Sequence, residues 1–457
     1  MQSAATTVRQ RVARLSLDVV IVGAGIGGLA AASTIRAAGH RVHILEAASE
    51  LREAGAGMQL APNATRILQR WGLTDQLQQV GVEPQALVFR RYANGETVGR
   101  TEWRNSMRER YAAPYYHVHR QDLHRILHGR ATESGAALST NSAVSAVTPA
   151  SASVDGKPKV VLANGDTISA DIVVGADGIR SLVRSYVTGQ PDRPVPTGDA
   201  AYRAVIDADA MRRTGDRELI DLIDQRETTV WMGPQKHLVG YNVSAQRRYN
   251  LVLIHPDQGY NESWTTPRDV RRLRAEYQGW EPRVQKLLEL IKDAWVWRLN
   301  LRDPISTWVD SDAYVTLLGD ARGPMLPYMA QGGVMAIEDA AVLGRLLSHV
   351  AKVEDIPRLL RGYQQIRQGR VTKVQLASGA NRTLFHIPDG PEQEARDAKM
   401  RGAWEAAAKT MQGAQQIGGK ADHQHLEQDA ERGRIDEILK YDADAEADGW
   451  LAANGFD

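Results

Sequence analysis

The sequence predicts an α/β protein in which one nucleotide-binding domain is split by an inserted, mainly antiparallel β-sheet and followed by a helical tail. Three glycine-bearing segments carry the prediction: VVIVGAGIGGLAAA from Val19, VVGADGIRS from Val173 and VTLLGDARGPMLPYMAQGGVMAIEDA from Val315. The first and third run from an apolar stretch through glycine into small or apolar residues at helical spacing, the strand–turn–helix order of a parallel sheet. A block of β-rich pieces separates the second segment from the third, so the first domain is completed by sequence on both sides of an insert.

Taken in order, residues 17–22 form a short β-branched run, followed by the glycines, a small-residue helix through Ala38, Gly39, and the strand 41–45 ending in Glu46. This is a βαβ unit. A helix is expected over 62–73, and residues 115–135 read as a strand followed by a second helix. Strand-like segments continue to Ala163, where Asn164-Gly165 signals a hairpin turn. The stretch TGQPDRPVPTGD at 188–199 is rich in proline and glycine, which suggests a crossing between domains. From Ala201 to about residue 300, β-rich pieces at 229–232, 237–243 and 250–254 are joined by a charged helix near 267–292. The expected boundaries are 17–187 and 301–387 for the two parts of the nucleotide domain, 188–300 for the inserted sheet and 388–457 for the tail.

Composition removes several classes of function. Across 457 residues, 56 Lys and Arg nearly balance 55 Asp and Glu, and no basic stripe is interleaved with aromatic residues, so nucleic acid is not an expected partner. Cysteine is absent, which excludes disulfides, thiolate nucleophiles and iron–sulfur centres; redox chemistry must use a bound cofactor. No metal site is expected, and His423 and His425 read as a solvated pair. No apolar run reaches the length of a membrane span, and the expected location is cytoplasmic. The first seventeen residues carry arginines and no acid, a composition that a disordered lead-in shares with organelle transit peptides. The Asn-x-Ser/Thr triplets at Asn63, Asn242, Asn261 and Asn381 have no secretory context.

The chemistry begins in Gly23-Ala-Gly25-Ile-Gly27-Gly28. Gly23 permits the tight turn, Gly25 lets backbone approach a diphosphate, and Gly28 lets helix pack on strand, while amides at the helix N-terminus face the anion. Glu46 ends the second strand about twenty residues on, where a carboxylate holds ribose hydroxyls. That charge repels a 2′-phosphate, so the site suits FAD or NAD better than NADP. With one such signature in the chain, a nicotinamide donor to bound FAD must dock elsewhere.

From about residue 17 to about residue 390, the chain resembles the single-component, class A flavoprotein aromatic hydroxylases, most closely their salicylate-hydroxylase-like branch. The resemblance implies a Rossmann-like FAD-binding domain of the glutathione-reductase type, with the insert as substrate domain. It implies that Asp177-Gly178 meets the flavin diphosphate region and also affects the pyridine nucleotide. The Asp320 carboxylate would bind ribityl or linking hydroxyls, and Arg120 would pair with cofactor phosphates. Gly57 and Met58 belong to a loop similar to the one that passes the isoalloxazine, and Gly332 and Gly333 offer backbone near its pyrimidine oxygen. Pro327 matches a proline beside the flavin's reactive edge, whereas Gly323 stands where the family usually has histidine.

The implied reaction is FAD- and NAD(P)H-dependent hydroxylation of a phenolic or carboxylated aromatic compound by molecular oxygen, through a flavin C4a-hydroperoxide. Decarboxylation or dearomatisation follows for particular ring positions. The resemblance supports Arg203 as the group holding a substrate phenolate or carboxylate, and Tyr241 as a tyrosine bonding the same oxygen. A nearby cation favours the phenolate form of such a substrate. Trp231 and Met232 are expected to wall an apolar pocket, and Trp295 and Trp297 to belong to the sheet that closes the site. A flavin oxidase or dehydrogenase on the same scaffold, or a non-catalytic flavin-binding module, remains open at this point, as do NADH against NADPH and monomer against homodimer.

Overall fold

Alternation along single strands shows how two cores share one sheet. In β1 (Asp18–Val22), Val19 and Ile21 enter one apolar cluster and Val20 and Val22 another, because successive side chains leave opposite faces. The computed structural model describes residues 11–51, 55–104, 106–191, 193–259, 270–417 and 426–456. Asn261, His423 and His425 lie outside the described residues.

The five-stranded sheet has the order β17 (Val315–Leu317), β11 (Ile172–Gly175), β1, β2 (Arg41–Leu45), β7 (Ala137–Ser139). All its pairings are parallel. Helices Ile26–Ala37, Arg120–Glu133 and Gly332–Leu347 contribute to the core on one face. The other face is covered by helix Leu182–Thr188 and an antiparallel sheet of β8 (Val144–Thr148), β9 (Lys159–Leu162) and β10 (Thr167–Ser169). The β9–β10 connection is the expected hairpin, with Gly165 at φ +91°. β17, β11 and β1 are adjacent, so all three glycine segments open at neighbouring carboxyl ends, where α/β sheets bind their ligands.

The inserted region forms a seven-stranded sheet ordered β16 (Trp295–Leu301), β12 (Val195–Asp207), β15 (Arg248–Pro256), β14 (Lys236–Val243), β13 (Glu227–Gly233), β4 (Ala86–Arg91), β5 (Thr97–Glu102). Only β13–β4 is parallel among its pairings. The sheet therefore reaches back to strands within 86–102, which lie well upstream of the insert. A two-stranded ladder of β3 (Gly57–Leu60) and β6 (Tyr116–His119) lies against it, with Gly57 in contact with β14 and β15.

Two local expectations differ from the structure. The proline-rich segment is not wholly a crossing, since β12 starts at Val195 and carries Pro196; a register shift between Pro196 and Ala200 accommodates it. The charged helix near 267–292 is two helices, Val270–Glu276 and Pro282–Leu290, separated before Pro282, which occupies the first turn where its missing N–H costs nothing.

A buried ion network joins the end of β17 to the helices behind it. Asp339 is fully buried and accepts from Arg322 Nε at 2.8 Å, from Arg367 Nε at 2.8 Å and from the Gly319 amide at 3.2 Å. Its neighbour Glu338 pairs with Arg367 at 2.7 Å and Arg370 at 2.7 Å, and accepts from Asn63 Nδ2 at 2.6 Å. The C-terminal segment closes over this cluster: the Tyr441 ring covers Arg370 at 3.7 Å, and Arg70 grips Asp444 at 2.7 Å. Burial alone raises a carboxyl pKa, but Arg322 and Arg367 outweigh it and hold Asp339 below its ordinary 3.8.

Asp339→Asn leaves two buried guanidinium groups short of charge and should cost about 3–5 kcal/mol, read as a lower denaturant midpoint at neutral pH. Because the folded-state pKa is depressed, this stabilisation is present above the unfolded value and disappears as pH falls through the folded one. The gap between wild type and variant should therefore narrow only below pH 3.8.

Candidate active site

At the end of β1 the backbone turns through Gly23 at φ +104°, a left-handed conformation that suits glycine. A side chain there would stand 2.5 Å from the Ala176 carbonyl, so the first glycine turn abuts the segment leading to Asp177. A side chain at Gly28 would strike the Gly23 carbonyl oxygen, whereas a Cβ on Gly25 meets no protein atom within 4 Å. Gly28 thus serves packing, and Gly25 leaves open space beside the N-terminus of helix Ile26–Ala37. Glu46 reaches back to this turn, accepting from the Ala24 amide at 2.8 Å and the Ala48 amide at 2.9 Å. His124, which motif reading passes over, bonds the Ala24 carbonyl at 2.8 Å and pins the loop from helix Arg120–Glu133.

Arg120 begins that helix, its amide donating to the Ala56 carbonyl at 2.8 Å. Its charge acts on both Asp320 and Arg203, so these three residues share one electrostatic neighbourhood. Asp320 has an exposed side chain, yet loss of water around it raises its pKa, opposed by Arg322 and Arg120. Exposure combined with that environment marks a group lining a recess. Asp177 stands beside the first glycine turn, its Cα 3.1 Å from where a Cβ on Gly23 would be, and its carboxylate accepts from Ser181 Oγ at 2.5 Å, Leu182 N at 2.8 Å and Val183 N at 3.2 Å. These bonds tie it to the first turn of helix Leu182–Thr188, whose N-cap is Ser181.

The opposite end of the recess is built around Gly57-Met58. The Gly57 amide donates to Asn250 Oδ1 at 2.7 Å, and a Cβ on Gly57 would stand 2.6 Å from Asn250 and 2.7 Å from Tyr241. The Met58 methyl occupies the place a side chain on Gly333 would take. A Cβ on Gly332, the first residue of helix Gly332–Leu347, would meet nothing within 4 Å, and no side chain caps the helix, so its N-terminus borders open space. Pro327 starts the single turn Pro327–Met329 and is half-buried, beside Tyr328, whose hydroxyl donates to Asp199 at 2.7 Å. Over Gly323 the Gln375 side chain stands 3.5 Å from where a Cβ would be.

Arg203 on β12 and Tyr241 on β14 lie on one face of the seven-stranded sheet, with Val252 of β15 between the strands. The Arg203 guanidinium stacks on Trp297 at 5.1 Å. Burial lowers its pKa, Tyr241 raises it and Arg120 lowers it again. Burial pushes Tyr241 up to about 12, with Arg203 and a Gln59 hydrogen bond pulling the other way. Met232 joins this face with Val230, Val252 and Leu326. Trp231 requires a correction: as Met232's neighbour on β13 it points to the other face, where its indole donates to Glu281 at 2.7 Å under the outer helices. Strand pleat forbids both from walling one pocket. Gln59, Tyr115, His117 and Asn250 also cluster here; long-range pairing of β3 with β6 and of β14 with β15 gathers them, so no sequence spacing announces them.

A carboxylate that closes on an open glycine turn, and a second helix N-terminus across a recess, define a flavoprotein fold of the FAD-binding kind. The chain belongs to the family of FAD-dependent aromatic monooxygenases of class A, its residues 16–378 matching the FAD binding domain. It is 37% identical over 391 residues to the FAD-dependent monooxygenase OpS4 of Beauveria bassiana (strain ARSEF 2860), covering 85% of this chain and 90% of the relative. It is 34% identical to the 3-amino-4-hydroxybenzoate 2-monooxygenase PtmB3 of Streptomyces platensis, covering 84% and 92%. Among solved structures, Klebsiella pneumoniae HpxO complexed with FAD and uric acid superposes with a TM-score of 0.72 at 25% identity, covering 84% and 92%. No helix among the described residues is long and apolar enough to cross a membrane.

Gly25→Ala tests the open space directly. The residue has φ −71° and free room, so the apoprotein should melt at the wild-type temperature, while FAD affinity falls by about tenfold or more, followed as flavin fluorescence released on titration. A parallel loss of apoprotein stability would mean that Gly25 serves the fold instead.

Proposed function

We propose that this protein hydroxylates a phenolic or carboxylated aromatic compound with FAD and NAD(P)H. The overall balance is NAD(P)H, a proton, dioxygen and the aromatic compound giving NAD(P)⁺, water and the hydroxylated product. One observation carries the reading: the Gly57-Met58 dipeptide touches Tyr241 of the sheet on one side and Gly333 of the open helix N-terminus on the other. A flat ring system seated at that helix end therefore has the Arg203–Tyr241 face as its neighbour. The substrate for which PtmB3 is named, an amino-hydroxybenzoate, carries both a phenolic oxygen and a carboxylate, in keeping with a cation and a hydroxyl at the site.

In this reading Gly23, Gly25 and Gly28 shape the diphosphate turn, Glu46 holds ribose, Arg120 and Asp320 serve the linker, and Gly332 and Gly333 present amides to the ring. FAD, when bound, supplies electron acceptance from the nicotinamide and oxygen transfer. Arg203 holds the anionic oxygen of the substrate and favours the phenolate, Tyr241 bonds the same end, and Met232 with Val252 excludes water. Pro327 limits the approach to the reacting edge. The enzyme is placed in the cytoplasm with the NAD(P)H pool, as a monomer or homodimer, and decarboxylation or dearomatisation depends on the ring position attacked.

Arg203→Ala should retain FAD yet lower aromatic-stimulated NAD(P)H consumption, as kcat/KM, by about 10- to 100-fold, the worth of one hydrogen bond to a charged group. Anaerobic reduction followed by oxygen addition across a panel of phenols and aromatic acids checks the wild type. Flavin that oxidises an alcohol or amine without added NAD(P)H would favour an oxidase instead.

A further inference from the structure

Cross-strand register sorts the inner face of the seven-stranded sheet into rows, and two neighbouring rows are covered very differently. Arg203 of β12, Val252 of β15, Val239 of β14, Val230 of β13 and Phe89 of β4 stand side by side. Arg203 and Val239 keep part of their surface open, whereas Val230 is only 4% exposed. From Arg203 to Val239 the floor crosses two strand spacings, about 10 Å. In the next row, two residues along each strand, Ala201, Ile254, His237 and Met232 are at most 2% exposed. An apolar floor with an arginine at one end is therefore closed at its other end and along one side.

The cover comes from the end of helix Ile356–Phe385. The Phe385 ring lies 6.0 Å from that of Phe89 and 5.2 Å from that of His237, so it spans both rows, and it joins the cluster of Val230, Met232 and Val252. Tyr328 stands beside it, 5.5 Å from the His237 ring. Helix ends tend to fray, but this one is fastened on both sides of Phe385. His386 bonds His237 at 2.7 Å, and its carbonyl accepts from the Gln235 amide at 3.1 Å. One turn back, Arg382 donates to the two Asp199 oxygens at 2.5 and 2.8 Å, and Asn381 donates to the Tyr328 carbonyl at 3.2 Å. These bonds tie the helix end to β12, to β14 and to the turn that begins at Pro327.

The geometry points to Phe385 as a specificity-determining residue that ends the aromatic pocket one ring away from Arg203, so that a second fused ring is refused. This rests on the monooxygenase reading and names what limits the size of its substrate. Forcing extra carbons against a packed apolar wall drives side chains off their rotamers and costs binding. With both neighbouring segments pinned, the Phe385 ring has nowhere to turn.

The test uses the FAD-loaded enzyme, with 2-hydroxybenzoate and 3-hydroxy-2-naphthoate as probes and the perturbation of flavin absorbance as the binding signal. The two acids carry the same adjacent hydroxyl and carboxylate and differ by one fused ring. The wild type should bind the one-ring acid more tightly. Phe385→Ala should shift the ratio of the two dissociation constants toward the two-ring acid by about tenfold or more while flavin content is kept. Phe385→Leu should shift it in the same direction and by less, which keeps the test available if Phe385→Ala folds poorly. Leu384→Ala, at the exposed neighbouring position, should leave the ratio unchanged. An unchanged ratio in the Phe385 variants that retain flavin overturns the proposal, as does an equal shift in Leu384→Ala. So does a wild type that binds neither probe or binds the two-ring acid as tightly as the other. Aromatic-stimulated NAD(P)H consumption, measured separately, judges the monooxygenase reading: its presence with an unshifted ratio removes the wall alone, and its absence with a shifted ratio removes the reading and leaves the size limit on binding.

Discussion

The Asp339 carboxylate is the constraint on which the rest of the site depends. It sits in a fully buried position, and its three bonds fix the turn after β17, the neighbouring Arg322 and the helix that carries Arg367. That turn carries Asp320, and Asn63, bonded to Glu338, also reaches Gln331 at 3.2 Å, the residue before helix Gly332–Leu347. One charged cluster therefore holds two walls of the recess at once. Such a cluster adds little net stability compared with an apolar core, since both charges must leave water, but it penalises any other arrangement of the same groups. A site that must seat a long cofactor in one pose gains from that intolerance.

The inserted sheet meets the recess through small residues. Gly57 has no room for a side chain against Tyr241 and Asn250, and Gly333 has none against Met58. Close approach at these glycines brings two sheets and a helix within reach of one ring-sized volume. The pleat then decides what that volume meets: Arg203, Tyr241, Met232 and Trp297 on the inner face, with Tyr202, Trp231 and Leu253 given to the packing under the outer helices.

Much of this was legible in the chain. The glycine segments marked strand ends, and Glu46 stood at the ribose spacing, because those roles depend on backbone geometry that only certain residues permit. Arg203 and Tyr241 were singled out through the family resemblance, and the structure sets them on one face of the seven-stranded sheet. What stayed hidden was set by pairing between distant strands. Strands β4 and β5 look like ordinary short β segments, and nothing local says that β4 runs parallel to β13. Gln59 and Tyr115 gain their meaning from the β3–β6 ladder and its approach to β14. Trp231 was misread because two adjacent apolar residues do not reveal which face is the core. Asp177 was assigned by motif to the cofactor region; it stands beside the Gly23 turn, and its bonds to the helix that follows were not readable from the motif.

The placement of Tyr441 over Arg370 has a consequence for biosynthesis. The residues that shape the glycine turns leave the ribosome well before the aromatic plate over their supporting arginines. Until residues 441–444 emerge, Arg367 and Arg370 lack that cover, and the Arg70 contacts with Asp442 and Asp444 cannot form. The buried ion cluster can thus close only after residues 441–444 have emerged, long after the first βαβ unit is complete.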